Sequence, residues 1–517
     1  MPKFRIFLCD ERGNIAITSA FLISLLILVA GVSIDYARGV WAKQEIQMAT
    51  DTAALAYAVS TANDDSTAFV NRVLRINSRF PLDIVSLEQS TLPPVFKTRL
   101  KTKYRMPTTM MRIFGHDHMD VTADAEVSRR VQKVHVAMAL DNSGSMTGTR
   151  MPDLVSAATT LVTEVRATNK DSKFALVPFG AYVNVGTQYK SASWLNDAAP
   201  SPHLKATQLA NGTMSSTRRF DLFAALNQPW AGCVEARKPG LDSTDEPPLS
   251  GDTLFVPLFV PDDPGPAPVA DIKNTGTSPG HYGNPYLDDT GNCKTAPAAE
   301  TDKQDSTCKY YGNTVKSVDT WVSAGLASGP NQGCVIQPIT RLTDNVATIK
   351  AAIAAMKVEG GTNSAEGAAW GLRVLSSKAP FADGMTSTDI ANGGLRVLVI
   401  MTDGGNWQQA TNNMNGSNYS AYGYKADNRI PWPNKNYPSN IGIPAINDRL
   451  LATCAFAETS GIVVYAVGLA LTEAAAKTVL TQCASSPDKA FLADDGAALK
   501  AAFAGIATSI SAPFVSN

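Results

Sequence analysis

The stretch from Ile15 to Ile34 contains no charged side chain. As a helix rising about 1.5 Å per residue, it would cover the roughly 30 Å hydrocarbon core of a bilayer. A helix apolar on every side needs lipid or a large protein interior around it, so the expectation is one membrane crossing. Lys3, Arg5 and Arg12 precede the run, while Arg38 and Lys43 follow it. With most of the chain beyond the run, the positive-inside tendency places a leader (1–14) in the cytoplasm, the span at 15–34, and everything after Asp35 outside. The competing reading is a cleaved signal peptide. Its apolar region usually spans only about 7–15 residues, and here the helical pattern continues without a break.

From Asp35 to about Ala62 there is no proline, and Val40, Ile46, Ala49, Ala53, Ala56 and Tyr57 fall at helical spacing. The anchor helix therefore continues into solvent. Leu82–Leu87, Val95–Tyr104 and the alternating Val121–Val127 read as strands, giving a small helix-plus-sheet stem over 35–130. The segments Arg12-Gly-Asn-Ile-Ala-Ile17, Ile34-Asp-Tyr-Ala-Arg38 and Gln47-Met-Ala-Thr-Asp-Thr-Ala-Ala-Leu55 resemble the amino-terminal segment of TadE/TadG-type proteins of tight-adherence (Flp) pilus assembly. The resemblance covers about 50 residues. Five residues after Gly13 stands Thr18, where a processed pilin would have Glu; a retained anchor in a bacterial inner membrane is therefore expected.

Forty-five Lys and Arg against 46 Asp and Glu leave a net charge of -1, without the basic field that draws proteins to nucleic acid. A second unit, 131–510, alternates strands and helices. Strands are expected at Lys133–Leu140, Phe174–Phe179, Ala181–Val185, Leu395–Met401, Gly461–Gly468 and Ala490–Ala493. Helices are expected at Leu154–Ala167, Asn345–Met356, the segment ending at Ser376, Ala445–Thr459, Ala474–Cys483 and Gly496–Ile510. Such alternation predicts an α/β fold, a doubly wound and mainly parallel sheet, with its site at the carboxyl ends of the strands.

Three distant segments converge on that edge: Asp141-Asn-Ser-Gly-Ser145, Thr362 after Gly360-Gly361, and Asp403 in Thr402-Asp403-Gly404. The hydroxyls of Ser143, Ser145 and Thr362 could ligate a hard divalent cation directly. The carboxylates of Asp141 and Asp403 would neutralise it through water, as octahedral Mg²⁺ prefers. Each segment alone has a plainer reading as a helix cap or turn; all three in order favour the metal. The arrangement closely resembles the metal-ion-dependent adhesion site of von Willebrand factor A (vWA) domains. That resemblance implies a Rossmann-like domain holding Mg²⁺, with Mn²⁺ or Ca²⁺ as alternatives, that captures an acidic group of a protein partner. A membrane-anchored binder in Flp pilus assembly, anchoring or adhesion follows, rather than an enzyme. The alternatives are a structural stalk whose ion only stabilises loops, and an extracytoplasmic hydrolase.

The second unit exceeds the roughly 200 residues a vWA domain needs, and two insertions account for the excess. The first, about 188–339, is rich in Pro and Gly and carries Cys233, Cys293, Cys308 and Cys334. This reads as a disulfide-pinned lobe in which three pairings are open. The second, 405–444, holds Trp407, Tyr419, Tyr422, Tyr424, Trp432 and Tyr437, either as recognition surface or as rings packing on one another. Cys454 and Cys483 flank the strand ending at Gly468 on two helices that can approach one sheet end, so they are expected to pair. The chain has no His-Glu dipeptide and no Gly-Lys pair, which excludes the zinc-protease and Walker signatures. Gly276-Thr-Ser-Pro-Gly280 with His281 matches a nucleophile elbow in letters only, because its flanks are Pro/Gly-rich loop. His116 and His118 read as a polar turn, and His135 as a core histidine.

Overall fold

A computed structural model describes residues 12–59, 66–90, 95–130, 133–265, 283–316, 328–335, 337–411, 413–431 and 444–511. Lys3, Arg5, Cys9, the Gly276–Gly280 match, His281, Trp432 and Tyr437 lie outside them. The chain divides into two compact units, one ending at Val131 and one running from Gln132 to Ser511.

In the first unit, helix α1 (Arg12–Val59) is unbroken. Its amino-terminal half is long and apolar enough to cross a membrane, and Phe21, Leu22, Leu25 and Leu26 are exposed. Hydroxyls within the apolar run return their hydrogen bonds to the helix itself: Ser24 Oγ donates to the Ala20 carbonyl at 2.8 Å and Ser33 Oγ to Val29 at 2.7 Å. Each of these two hydroxyls thereby has its acceptor within the helix. Farther along, Ala42, Ile46, Ala49 and Ala53 form a buried stripe. They pack on the antiparallel sheet of β1 (Asp83–Ser90), β2 (Val95–Pro107) and β3 (His118–Arg130), in the order β1-β2-β3. Small alanines on that stripe let helix and sheet approach closely. Helix α2 (Ser66–Asn77) buries Val70 and Leu74 against the same layer. The sequence reading passed over α2, although Phe69, Val70, Val73 and Leu74 carry helical spacing.

The second unit is built on β4 (Val134–Asp141), β5 (Ser172–Phe179), β6 (Val183–Asn184), β7 (Cys233–Val234), β8 (Thr340–Thr343), β9 (Leu395–Thr402), β10 (Ile462–Leu469) and β11 (Ala490–Ala493). The order is β11-β10-β9-β4-β5-β6-β7, with β8 beside β5. The pairs from β11 to β5 are parallel, and those made by β6, β7 and β8 are antiparallel. Period-two alternation sends Val134, Val136, Met138 and Leu140 to one face and Ala137 and Ala139 to the other. On the first face lie α3 (Arg150–Thr168), α4 (Val346–Ala354) and α8 (Gly496–Ser511). On the second lie α5 (Ser364–Leu375) and α6 (Pro444–Thr459). Each buried Leu or Val on these helices contributes about 1.5–3 kcal/mol. β6 falls inside the expected strand Ala181–Val185 and is shorter than it; β7 and β8 were not legible, because two- to four-residue strands are made by their partners and not by a local pattern.

The first insertion is an ordered lobe whose apolar residues join the core of the α5 face. Phe223, Phe255, Phe259, Tyr286 and Tyr310 are buried, and the Phe255 ring lies 4.7 Å from Trp370 of α5. The pairings are Cys233 with Cys334 and Cys293 with Cys308. Cys454 of α6 is joined to Cys483 at the end of α7 (Ala474–Cys483). In the second insertion Tyr422 and Tyr424 are buried, and Tyr424 Oη donates to Asp263 of the first insertion at 2.6 Å. These rings are packing, not recognition surface. The two insertions meet in one polar and aromatic seam, where the buried Tyr424 hydroxyl of the second finds its acceptor on the first.

Candidate metal centre

Strand β4 ends at Asp141 and β9 at Thr402, neighbours in the parallel sheet, so the loops leaving both strands emerge side by side at the carboxyl edge. Their contents interlock. Asp141 is fully buried; its Oδ1 accepts from the Ser143 backbone N–H at 2.7 Å, and its Oδ2 accepts from Thr402 Oγ1 at 2.6 Å. Ser143 and Ser145 share a hydroxyl hydrogen bond of 2.9 Å, and Ser145 Oγ donates to Asp403 Oδ1 at 2.5 Å. Four of the five expected site residues therefore form one connected cluster.

Thr362 reaches the same edge through its backbone. The loop before α5 is held to the loop after β4 by Gly144 N–H on the Gly360 carbonyl at 3.0 Å and Glu359 N–H on the Asn142 carbonyl at 2.5 Å. Trp407 N–H donates to the Thr362 carbonyl at 2.9 Å. Gly360 adopts φ +74, a left-handed conformation natural to glycine. A side chain at Gly361 would strike the Trp407 ring. Trp407, half-buried, is thus the ring of the second insertion that frames the Thr362 loop. Asn363 caps α5, its side chain accepting from Glu366 N–H at 3.2 Å.

The cluster crowds two carboxylates together. Burial, and then the Asp403 carboxylate, push Asp141 well above the usual carboxylate range. Arg150, at the start of α3, offsets part of their charge: its guanidinium lies 2.6 Å from Asp403 Oδ2 and 3.2 Å from the Ser145 carbonyl. The sequence reading did not single out Arg150. Among the described residues no three His, Cys, Asp or Glu gather into a metal-binding group. A set of two carboxylates and three hydroxyls does not require one, and its hard oxygen donors fit Mg²⁺ or Mn²⁺.

Residues 13–60 match the model of the putative Flp pilus-assembly TadE/G-like family. That segment covers nearly all of α1, its apolar run and its packed stripe together. No curated protein matches the chain. Among solved structures, the von Willebrand factor domain of the type V pili tip protein Mfa5 from Porphyromonas gingivalis is 12% identical, with 73% of this chain and 95% of that chain covered and a TM-score of 0.33. The pilus adhesin SpaC from Lactobacillus rhamnosus GG is 12% identical in its open conformation, with 83% of this chain covered and a TM-score of 0.32. The chain spans 33% of SpaC. Proximal thread matrix protein 1 from the mussel byssus, with a zinc-occupied MIDAS motif, is 13% identical over 75% of this chain and 98% of that chain, with a TM-score of 0.20.

His135 is buried in β4, where burial pulls it down to about 4, and its Nδ1 finds no hydrogen-bond partner among the described residues. His116 and His118 are exposed in the first unit.

Proposed function

We propose that the chain is a membrane-anchored, metal-dependent protein binder acting in Flp-type pilus assembly, anchoring or adhesion, and not an enzyme. The observation that carries this reading is the hydrogen-bonded Asp141–Ser143–Ser145–Asp403 cluster at the sheet edge, with the Thr362 loop docked on it. Ser143, Ser145 and Thr362 would hold Mg²⁺ directly, and Asp141 and Asp403 through water. With few direct carboxylates, the bound ion supplies a Lewis-acid position that a partner's acidic side chain can fill. The family match over residues 13–60 supports the pilus context. The apolar α1 supports an anchor in the inner membrane, with the bulk of the chain outside the cytoplasm.

Titration calorimetry of the full chain in detergent tests the reading. Mg²⁺ or Mn²⁺ should bind at one site, and Asp141→Ala or Thr362→Ala should remove the heat while unfolding stays cooperative. Absence of binding by the unsubstituted chain would overturn it.

A further inference from the structure

We propose that the tip of the β2–β3 hairpin, residues Thr109 to Gly115, sits in the interfacial layer of the bilayer that α1 crosses. The inference rests on the anchoring reading above and adds a second contact with lipid. Three observations within the first unit carry it.

The tip is fastened to α1 at the end of the apolar run. Asp35, the first charged residue after Ile34, is fully buried and accepts the backbone N–H groups of Thr109 at 3.0 Å, Met110 at 2.7 Å and Met111 at 2.9 Å. Arg38 adds a 2.6 Å hydrogen bond to Thr109 Oγ1. One turn earlier, Gly31 lies under Met110, where any side chain would collide with the Met110 Cβ and Cγ. Gly31 stands three residues inside the uncharged run, which places Met110 roughly 5 Å below its end at the helical rise.

The tip also presents apolar side chains outward. Ile113 is 75% exposed and Phe114 52%, in a single turn of 3-10 helix (Met111–Phe114) closed by Gly115 at φ +84. The described residues of the unit leave both open. Finally, Arg112 and Asp117, both exposed and 3.3 Å apart, flank these residues as charges that suit the headgroup level. Apolar side chains beside charged ones, at the height where a spanning helix leaves the hydrocarbon, match the interfacial mode of lipid contact. The occupant is lipid because the tip is fastened to α1 at Gly31 and Asp35, where the exposed apolar run that crosses the bilayer ends.

The test places an environment-sensitive NBD label on single engineered cysteines of the full chain. Cys9 is replaced by Ser, and the other six cysteines are paired. The labelled chain is reconstituted in phosphatidylethanolamine/phosphatidylglycerol vesicles with doxyl-labelled lipid. Phe114→Cys and Ile113→Cys should each lose emission to the lipid quencher, as should Leu26→Cys within the span. Ile76→Cys is 78% exposed on α2 in the same unit and should lose none. Quenching at 26 without quenching at 113 or 114 would overturn the inference while leaving the anchor intact. A blue-shifted but unquenched label at 114 would show that protein covers the tip instead, and would overturn the inference in the same way. No quenching at 26 would remove both the anchor and the inference.

Discussion

At the residue scale, Arg150 would compete for Asp403 with the ion proposed above. The guanidinium sits 2.6 Å from the carboxylate that would face a dication through water, so metal entry meets a like charge already in place. Arg150→Ala should tighten Mg²⁺ binding by about 1 kcal/mol, roughly fivefold, read as a lower Kd in calorimetry. An unchanged Kd would show that the arginine swings clear at no cost. His203 offers a test at a distance. Its Nδ1 lies 3.0 Å from Asp305 and its Nε2 2.8 Å from Asp427. Gln304, at 3.1 Å, and the edge of Tyr424 complete its surroundings, while Lys205 pairs with Asp305 at 2.8 Å. Burial alone would depress the imidazole, but hydrogen bonds to Asp305 and Asp427 outweigh it and raise it to about 9. A folded value above the unfolded one of about 6.5 means the clasp contributes fully below pH 6.5 and is lost as pH rises through 9. Thermal melts should therefore fall between pH 7 and pH 9.5 by on the order of 2 kcal/mol, and His203→Gln should flatten that slope.

At the scale of elements, cross-links and close approaches decide what the helices do. The Cys454–Cys483 bond ties α6 to the end of α7 across a separation of 29 residues. In the chain-entropy model, replacing both cysteines by Ala should cost about 3 kcal/mol, measured by denaturant unfolding. In the stem, Gly31 and Gly39 let α1 meet Met110 and Met119 without a Cβ between them. Gly31→Val forces Met110 aside and should destabilise the first unit by about 1–3 kcal/mol, seen as faster backbone exchange at Thr109–Met111. The longer helices of the second unit were readable from apolar residues at helical spacing, α3 running four residues earlier than its pattern begins, from Arg150, whereas the short helices Arg219–Ala225, Glu300–Asp305 and Ser387–Ala391 were not. Helix α2 escaped notice because its apolar pattern is short and follows a polar break, so its stability comes from the layer it covers.

For the whole molecule, the distribution of disulfides separates the two units. All three described bonds lie between Cys233 and Cys483, inside the second unit. Under reducing conditions the inserted lobe should become the first segment cut by protease, while the stem melts at an unchanged temperature; equal sensitivity of both units would contradict this. The lobe also holds a fully buried Lys309–Asp262 pair at 2.9 Å, and an unpaired buried charge there would be costly. The loops therefore form a folded part of the domain.

The sequence by itself determined the apolar span, the alternation of strands and helices, and the three segments carrying Asp141, Ser143, Ser145, Thr362 and Asp403. These were legible because periodicity and strand-end chemistry are local properties of the chain. It left open the pairing of four cysteines and the role of the rings in the second insertion. It was silent on Arg150 at the site and on the His203 clasp. Those matters were decided by tertiary structure alone: His203 meets partners 102 and 224 residues away, and Tyr424 meets Asp263 across 161. Contacts of that range depend on which buried polar groups must find one another once water is excluded, and no local spacing encodes that choice.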